Sequence, residues 1–500
     1  MPTHFKPMVT LNLRGFLVFR PVRELSPPVR PHNLPGSSGG NQIVPMDAAA
    51  AEANSPLRRI AFKMALVLVF IRFSIVHMLL TYVLHINLYL LYLFGIPTLL
   101  GVAFAGGVQR TLRGRPAVIW LMFAGWLLVA APFSSWRGGV IGSLNFYFRT
   151  NFPMLFVIAG LTLTWSECRS MMRAIAWAAP VVMLAAGIFP SDGDPGARLT
   201  LEFGNIGDSN DYACHLVTVL PFLIWAALST KSKALQLAAW GGASCGVLLI
   251  LKTASRGGLV ALGAGCLYWL VRGTMRQRIA LLAMGPVVAF TVVAFVPRSS
   301  LNRILSFSAA DENASQEAIQ SATMRRYLLE QSIRYTLQHP IFGIGMSQFS
   351  IFEGGHSQIM GAHGYWHETH NTYTQVSSEC GVPGLTFYVA ALLSAFIMVN
   401  RVYRQARGRP ECKDIQTTAF CIMLAMTTYC TATFFLTFGY FFYPLAISSL
   451  AIAVSMAAQG ELASRSSSSL ETHPGFAPQY RVQPRRKPVA PAAKLTKPAQ

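Results

Sequence analysis

Between residues 60 and 458 the chain repeatedly runs 18 to 22 residues with at most one charged side chain. That pattern limits it to one environment. An α-helix rises about 1.5 Å per residue, so about 20 apolar residues cross a hydrocarbon core of roughly 30 Å. Inside lipid a helix satisfies its own backbone hydrogen bonds, so repeated apolar runs mean a bundle of helices. Composition agrees, with 53% hydrophobic and only 12% charged residues, where soluble domains carry roughly a quarter charged. The expectation is an all-α, polytopic transmembrane bundle of about 12 spans, near 62–82, 86–106, 116–133, 147–165, 170–189, 211–229, 234–251, 257–272, 278–297, 380–400, 415–437 and 440–458. The first two are hardest to separate: Arg72 interrupts one, and only His85 and Asn87 mark the turn.

The formal net charge of +21 does not make this a nucleic-acid binder. Its basic residues sit in the tails and in short turns between apolar runs, where they orient a membrane protein rather than line a groove. Alternate turns carry Arg110, Arg113 and Arg115, then Arg169 and Arg173, Lys231 and Lys233, Arg272, Arg276 and Arg278, and finally Arg401 to Lys413. The positive-inside rule puts these turns and both tails in the cytoplasm. Residues 1–55 and 464–500, rich in Pro, Arg, Gly and Ser, read as disordered tails, the first in part as residues ahead of a later start codon. Gly15 to Phe19 is too short an apolar run for a signal peptide. Cys168, Cys214, Cys245, Cys266, Cys421 and Cys430 lie in or beside apolar runs and read as small packing residues.

Two non-cytoplasmic segments are long, residues 190–210 and 297–379. The second has structure of its own. Ala314 to Gln338 reads as a helix whose apolar stripe is Met324, Leu328, Leu329, Ile333 and Leu337, ended by His339-Pro340 and then Gly343 and Gly345. A folded loop of this length at one membrane face is where function concentrates.

Three features there carry chemistry. Arg256, in Ser255-Arg256-Gly257, lies at the non-cytoplasmic end of an apolar run, where an arginine is costly and functional by default; the alternative is snorkelling to headgroups. Arg325 and Arg326 present planar forks suited to phosphate oxygens, or are ordinary solvated helix charges. A histidine-rich run spans His356 to His370. His363, His367 and His370 have spacings that raise a metal site, but Glu368 does not complete an HExxH motif, and Gly361 and Gly364 interrupt any helix. No metal ligand is therefore assigned. A histidine near neutral pKa suits proton transfer from a sugar hydroxyl instead.

In order, Ser255-Arg256-Gly257, then Arg325, then His339-Pro340-Ile341-Phe342-Gly343-Ile344-Gly345, then His370-Asn371-Thr372-Tyr373 and Glu379-Cys380-Gly381-Val382-Pro383-Gly384 resemble the O-antigen ligase and polymerase family. Glu202 to Asp211, with Gly204, Asp208 and Asn210, resembles an upstream segment of the same family. The likeness covers roughly residues 60–458, and its diagnostic part is 250–400.

The resemblance implies a glycosyltransferase of the bacterial inner membrane. Its donor would be a polyprenyl-pyrophosphate-linked glycan and its acceptor another glycan, a lipid A-core or a protein hydroxyl. No cofactor is implied, since the energy lies in the pyrophosphate bond. Arg256, Arg325 and His370 would be catalytic; Ser255, Gly257, Asp208, Asn210, Arg326, Asn371 and Tyr373 would bind substrate. Arg325 is preferred over Arg326 because Leu329 follows it by four residues, whereas Arg326 faces Glu330. The spacing from His370 to Gly381 leans toward the polymerase form. A secondary transporter or lipid-linked glycan flippase would also have about a dozen spans, but polar residues would then be expected at mid-depth.

Overall fold

Helix boundaries follow from local chemistry in the computed structural model, which describes residues 55–189, 198–201, 203–204, 206–275, 277–279, 281–282, 316–359 and 366–471. Sixteen α-helices occur among them: α1 Pro56–Ser74, α2 Val76–Leu84, α3 Leu90–Phe104, α4 Gly107–Leu112, α5 Arg115–Ala130, α6 Arg137–Phe146, α7 Met154–Leu161, α8 Trp165–Ile188, α9 Ser209–Ser229, α10 Lys233–Lys252, α11 Arg256–Arg272, α12 Gln316–Gln338, α13 Phe349–Ile359, α14 Thr372–Ala406, α15 Lys413–Ala432 and α16 Phe442–Glu471. No strand forms among these residues. Proline opens α1, and a capping box opens α8, with the Thr164 hydroxyl accepting from Glu167 N and Glu167 Oε2 from Thr164 N.

Among the described residues seven helices are long and apolar enough to cross a membrane, or eight if α1 and α2, bent by 68° at the left-handed Ile75, form one broken span. The seven are Arg115–Phe133, Trp165–Ile188, Ser209–Ser229, Lys233–Lys252, Thr372–Ala406, Pro410–Phe435 and Phe442–Arg465. The chain is thus an integral membrane protein. Other expected spans take different forms. The run 86–106 forms the 15-residue α3, and 257–272 the 17-residue α11. The run 147–165 breaks into a π-turn, Tyr147–Asn151, and the eight-residue α7, because buried Asn151 bonds to Arg72 and to the Tyr440 carbonyl and Pro153 follows. Most of 278–297, residues 1–54 and residues 472–500 lie outside the described residues; 464–471, expected to be disordered tail, instead continues α16 to Glu471, with Arg465 paired to Asp414 at 2.7 Å.

Two spans form the centre of the bundle: 89% of the apolar window is buried in both α9 and α16, against 28% in α10. One end is stapled by a buried ion pair, Arg58 to Glu167 at 2.9 Å, with Arg58 also donating to the Leu161 carbonyl.

The loop helix α12 ends at Gln338 as expected, but a different face is buried. Leu328 and Tyr335 are enclosed while Ile333 and Leu337 are 46% and 75% exposed. The cause is buried Glu353 on α13, whose carboxylate accepts from the hydroxyls of Tyr327 (2.5 Å) and Tyr335 and so sets the helix's rotation.

Candidate active site

Three chain breaks, each held by side chains or glycines, carry most of the expected site residues; the cavity beside them is lined by His370 but not by Arg256, Arg325, Asp208, Asn210 or Ser255. The first precedes α14. Asn371 caps that helix, its Oδ1 accepting from the backbone of Tyr373 (2.9 Å) and Thr374 (3.1 Å). His370, just before it, is left-handed at φ 50° and its N–H donates to Thr437 Oγ1 at 3.0 Å. Thr372 Oγ1 donates to the Leu436 carbonyl and accepts from Phe438 N, and Gln375 Oε1 accepts from Gly439 N. The histidine is therefore stitched on one side to the turn leading into α16.

The second break is within α14. Gly381 is non-helical (φ 72°, ψ 178°), which releases nearby carbonyls from the helix ladder. The segment 340–345 takes them: Ile344 N donates to Ser378 O, Gly345 N to Glu379 O, and Val382 N returns to Pro340 O, at 2.9, 2.9 and 2.8 Å. A Cβ on Gly343 would collide with the Glu379 backbone, and one on Gly381 with the Ile341 carbonyl. Buried Glu379 accepts from the amides of Ser347 and Phe349, at the start of α13 where a helix favours negative charge. The two glycine-containing motifs of the sequence are thus halves of one joint.

The third lies between α10 and α11. Asp208 caps α9 through Asn210 N at 2.7 Å and also accepts from Asn210 Nδ2. Asn210 Oδ1 accepts from Ser255 Oγ (2.9 Å) and Arg198 (3.0 Å), and Arg198 Nε reaches the Thr253 carbonyl. Ser255 caps α11 through Gly258 N, placing Arg256 as the first residue of that helix.

The cavity measures about 710 Å³, and His370, Asp211, Glu368, Gln375, Asn151 and Thr437 are among its lining residues. The His370 imidazole is brought down to about 4, chiefly by burial and then by the Arg325 charge, with Asp208 opposing. It is thus neutral at physiological pH but a weaker base than the near-neutral histidine expected from the sequence, and Arg325 and Asp208 both lie within electrostatic reach of it. Glu368, by contrast, is raised by desolvation.

The other expected site residues divide. Asp208, Asn210 and Ser255 form one hydrogen-bonded group. Gly257 packs on Phe435, where a Cβ would sit 2.7 Å from the Phe435 Cβ. Tyr373 donates to the Cys430 carbonyl at 2.9 Å and packs on Phe434. Arg326 pairs with Glu330 at 3.0 Å on the exposed face of α12. Among the described residues no three His, Cys, Asp or Glu side chains are grouped to hold a metal ion; His363 lies outside them. Asp211, Glu368 and Gln375 were not singled out from the sequence. Asp211 was findable, as an acid inside an otherwise apolar span.

Fold and site together define an integral membrane protein with a largely apolar-walled cavity beside the helix breaks, in which His370, Asp211 and Glu368 stand. Residues 241–389 match the family model described as O-antigen ligase. That match, over less than a third of the chain, supports an O-antigen ligase family assignment and a membrane glycan-transfer function of ligase or polymerase type. No curated protein matches the chain.

Proposed function

We propose that the protein transfers a glycan from a polyprenyl-pyrophosphate carrier to an acceptor hydroxyl, with inversion at the anomeric carbon. The observation that carries this reading is His370, neutral at the wall of a cavity large enough for sugars and under the influence of the Arg325 charge. The acceptor oxygen attacks the anomeric carbon as the bond from that carbon to the pyrophosphate oxygen breaks. His370 orients the hydroxyl and takes its proton. Arg325 and Arg256 stabilise the negative charge growing on the pyrophosphate, and such preorganised electrostatics is usually the largest catalytic contribution. Pyrophosphate leaves readily, so neither nucleotide nor metal is needed. Asp208, Asn210 and Ser255 fix Arg256 from behind.

The positive-inside pattern supports both tails in the cytoplasm of a bacterial inner membrane, with the loop 297–379 and the cavity on the opposite face. A bundle of about twelve spans would need helices such as the 15-residue α3 and the 17-residue α11 to cross as well, beyond the seven or eight that are long and apolar enough among the described residues. The spacing from His370 to Gly381 favours polymerisation over single transfer.

The test uses purified protein with a polyprenyl-pyrophosphate oligosaccharide and neither nucleotide nor metal. Released lipid pyrophosphate and a ladder of products support a polymerase, and one transfer onto an added acceptor a ligase. Turnover by Arg256→Ala and His370→Ala variants near the wild-type rate would sink the mechanism. Flipping in vesicles without release would favour a transporter.

A further inference from the structure

Arg72 stands in the last turn of α1, at the opposite end of that helix from Arg58 and Arg59, and is only 8% exposed. It donates to Asn151 Oδ1, and its guanidinium carbon lies 4.6 Å from the centroid of the Phe442 ring. Its Nε is buried without a hydrogen-bond partner, and among the described residues no carboxylate forms an ion pair with it. Asn151 is itself held by its bond to the Tyr440 carbonyl, so the guanidinium is fixed in place. A cation at membrane depth needs a counter-charge, and here the neighbouring side chains supply none.

Small pockets lie on both sides of this arginine. One, of about 50 Å³, shares Phe146, Asn151 and Phe441 with the large cavity. The other, of about 70 Å³, lies between α1, α3 and α7 and is lined by apolar residues such as Leu91, Leu99 and Val157. A second arginine, Arg149, lines that pocket with Arg72, its guanidinium 5.7 Å from the Tyr92 ring centroid. Both pockets are far smaller than the large cavity of about 710 Å³. Two arginine forks flanked by apolar walls match a phosphate carrying a hydrocarbon chain.

We propose that Arg72 and Arg149 form a second phosphate site, which takes the pyrophosphate of the lipid carrier between the bilayer and the cavity. This rests on the function proposed above and is separate from the Arg256 and Arg325 pair. The chain would lie against α3 and α7, and the site would hold the carrier as it arrives or, stripped of glycan, as it leaves.

The experiment measures binding of glycan-free polyprenyl pyrophosphate to the full chain in nanodiscs, with phosphatidylglycerol and inorganic pyrophosphate as separate arms, alongside donor kinetics. Arg149→Gln, at an exposed position, should weaken carrier binding about tenfold and raise the donor KM with little change in kcat, and Arg72→Gln should do the same or more. Arg325→Ala should lower kcat instead. Wild-type carrier binding by Arg149→Gln overturns the site, even if Arg72→Gln fails to fold, and leaves the transferase reading standing if the wild type turns over. Equal, Arg149-dependent binding of phosphatidylglycerol overturns the assignment to the carrier. Equal, Arg149-dependent binding of inorganic pyrophosphate overturns the role of the lipid chain. A wild type that neither binds nor transfers would instead remove the transferase reading, and this inference with it.

Discussion

The Ser255 hydroxyl donates to Asn210 Oδ1 at 2.9 Å, joining the segment that caps α9 to the turn that begins α11. The same hydroxyl accepts from Gly258 N, so one side chain both caps the helix and ties down the residue before Arg256. Ser255→Ala should therefore cost about 1 kcal/mol in stability as a lost cap, and lower transfer by more than that loss explains. Thermal unfolding and turnover of Ser255→Ala, Asn210→Ala and the double variant check this. Coupling between the two substitutions is expected, and additive effects would show that the bond does not position Arg256.

The joint between 340–345 and α14 depends on glycine at two positions for two reasons. Gly343 and Gly381 have φ of 70° and 72°, and each has backbone where a Cβ would stand. Strain of about 1–3 kcal/mol per position adds to the collision, so Gly343→Ala and Gly381→Ala should each sharply reduce the yield of folded protein in detergent. By contrast, Gly355 has open space around it, and Gly355→Ala should be tolerated. Size-exclusion profiles of the three variants decide the matter.

Much of this was legible because charges and glycines punctuate the chain. The end of α12 follows from Pro340, and the bonds between the HPIFGIG and ECGVPG segments account for glycines the sequence shows only as a pattern. The buried face of α12 was not legible, because Glu353, contributed from a separate helix, chooses it by accepting from Tyr327 and Tyr335. The run 147–165 reads as a span from hydropathy alone, yet Asn151 answers to Arg72, 79 residues earlier. Asp208, Asn210 and Ser255 were each singled out, whereas the bonds joining them depend on tertiary placement. Long-range polar partners of this kind leave no local periodicity.

Breaking the buried Arg58–Glu167 pair should be costly in a way that breaking Arg326–Glu330 is not. Arg58 is 2% exposed, so Glu167→Gln takes the paired carboxylate away from a buried cation, a loss of about 3–5 kcal/mol. Arg326 is 83% exposed and its partner 61%, and such pairs contribute little. Arg326→Ala should keep its melting temperature and turnover within about twofold of wild type, while Glu167→Gln melts many degrees lower. A large fall in turnover for Arg326→Ala would instead place it among the substrate-binding residues.

The titration of His370 offers the most direct test of its relation to Arg325. Burial and the Arg325 charge both disfavour the imidazolium and bring the group down to about 4. A lowered pKa means the neutral form is favoured in the folded protein. His370 therefore contributes stability above its unfolded value of about 6.5, and that contribution is lost as the pH falls toward 4. For catalysis, kcat/KM should stay level through neutrality and drop only on the acid side. Removing the arginine charge with Arg325→Met should move that acid limb upward, because one of the two causes of depression is gone while burial remains. The donor's own negative charge should act in the same direction, so the limb in kcat should lie above the limb in kcat/KM. The pH profiles of the wild type and of Arg325→Met, each measured with saturating and limiting donor, test both shifts. An acid limb that Arg325→Met leaves unmoved would separate the two residues and remove Arg325 from the neighbourhood of the reacting hydroxyl.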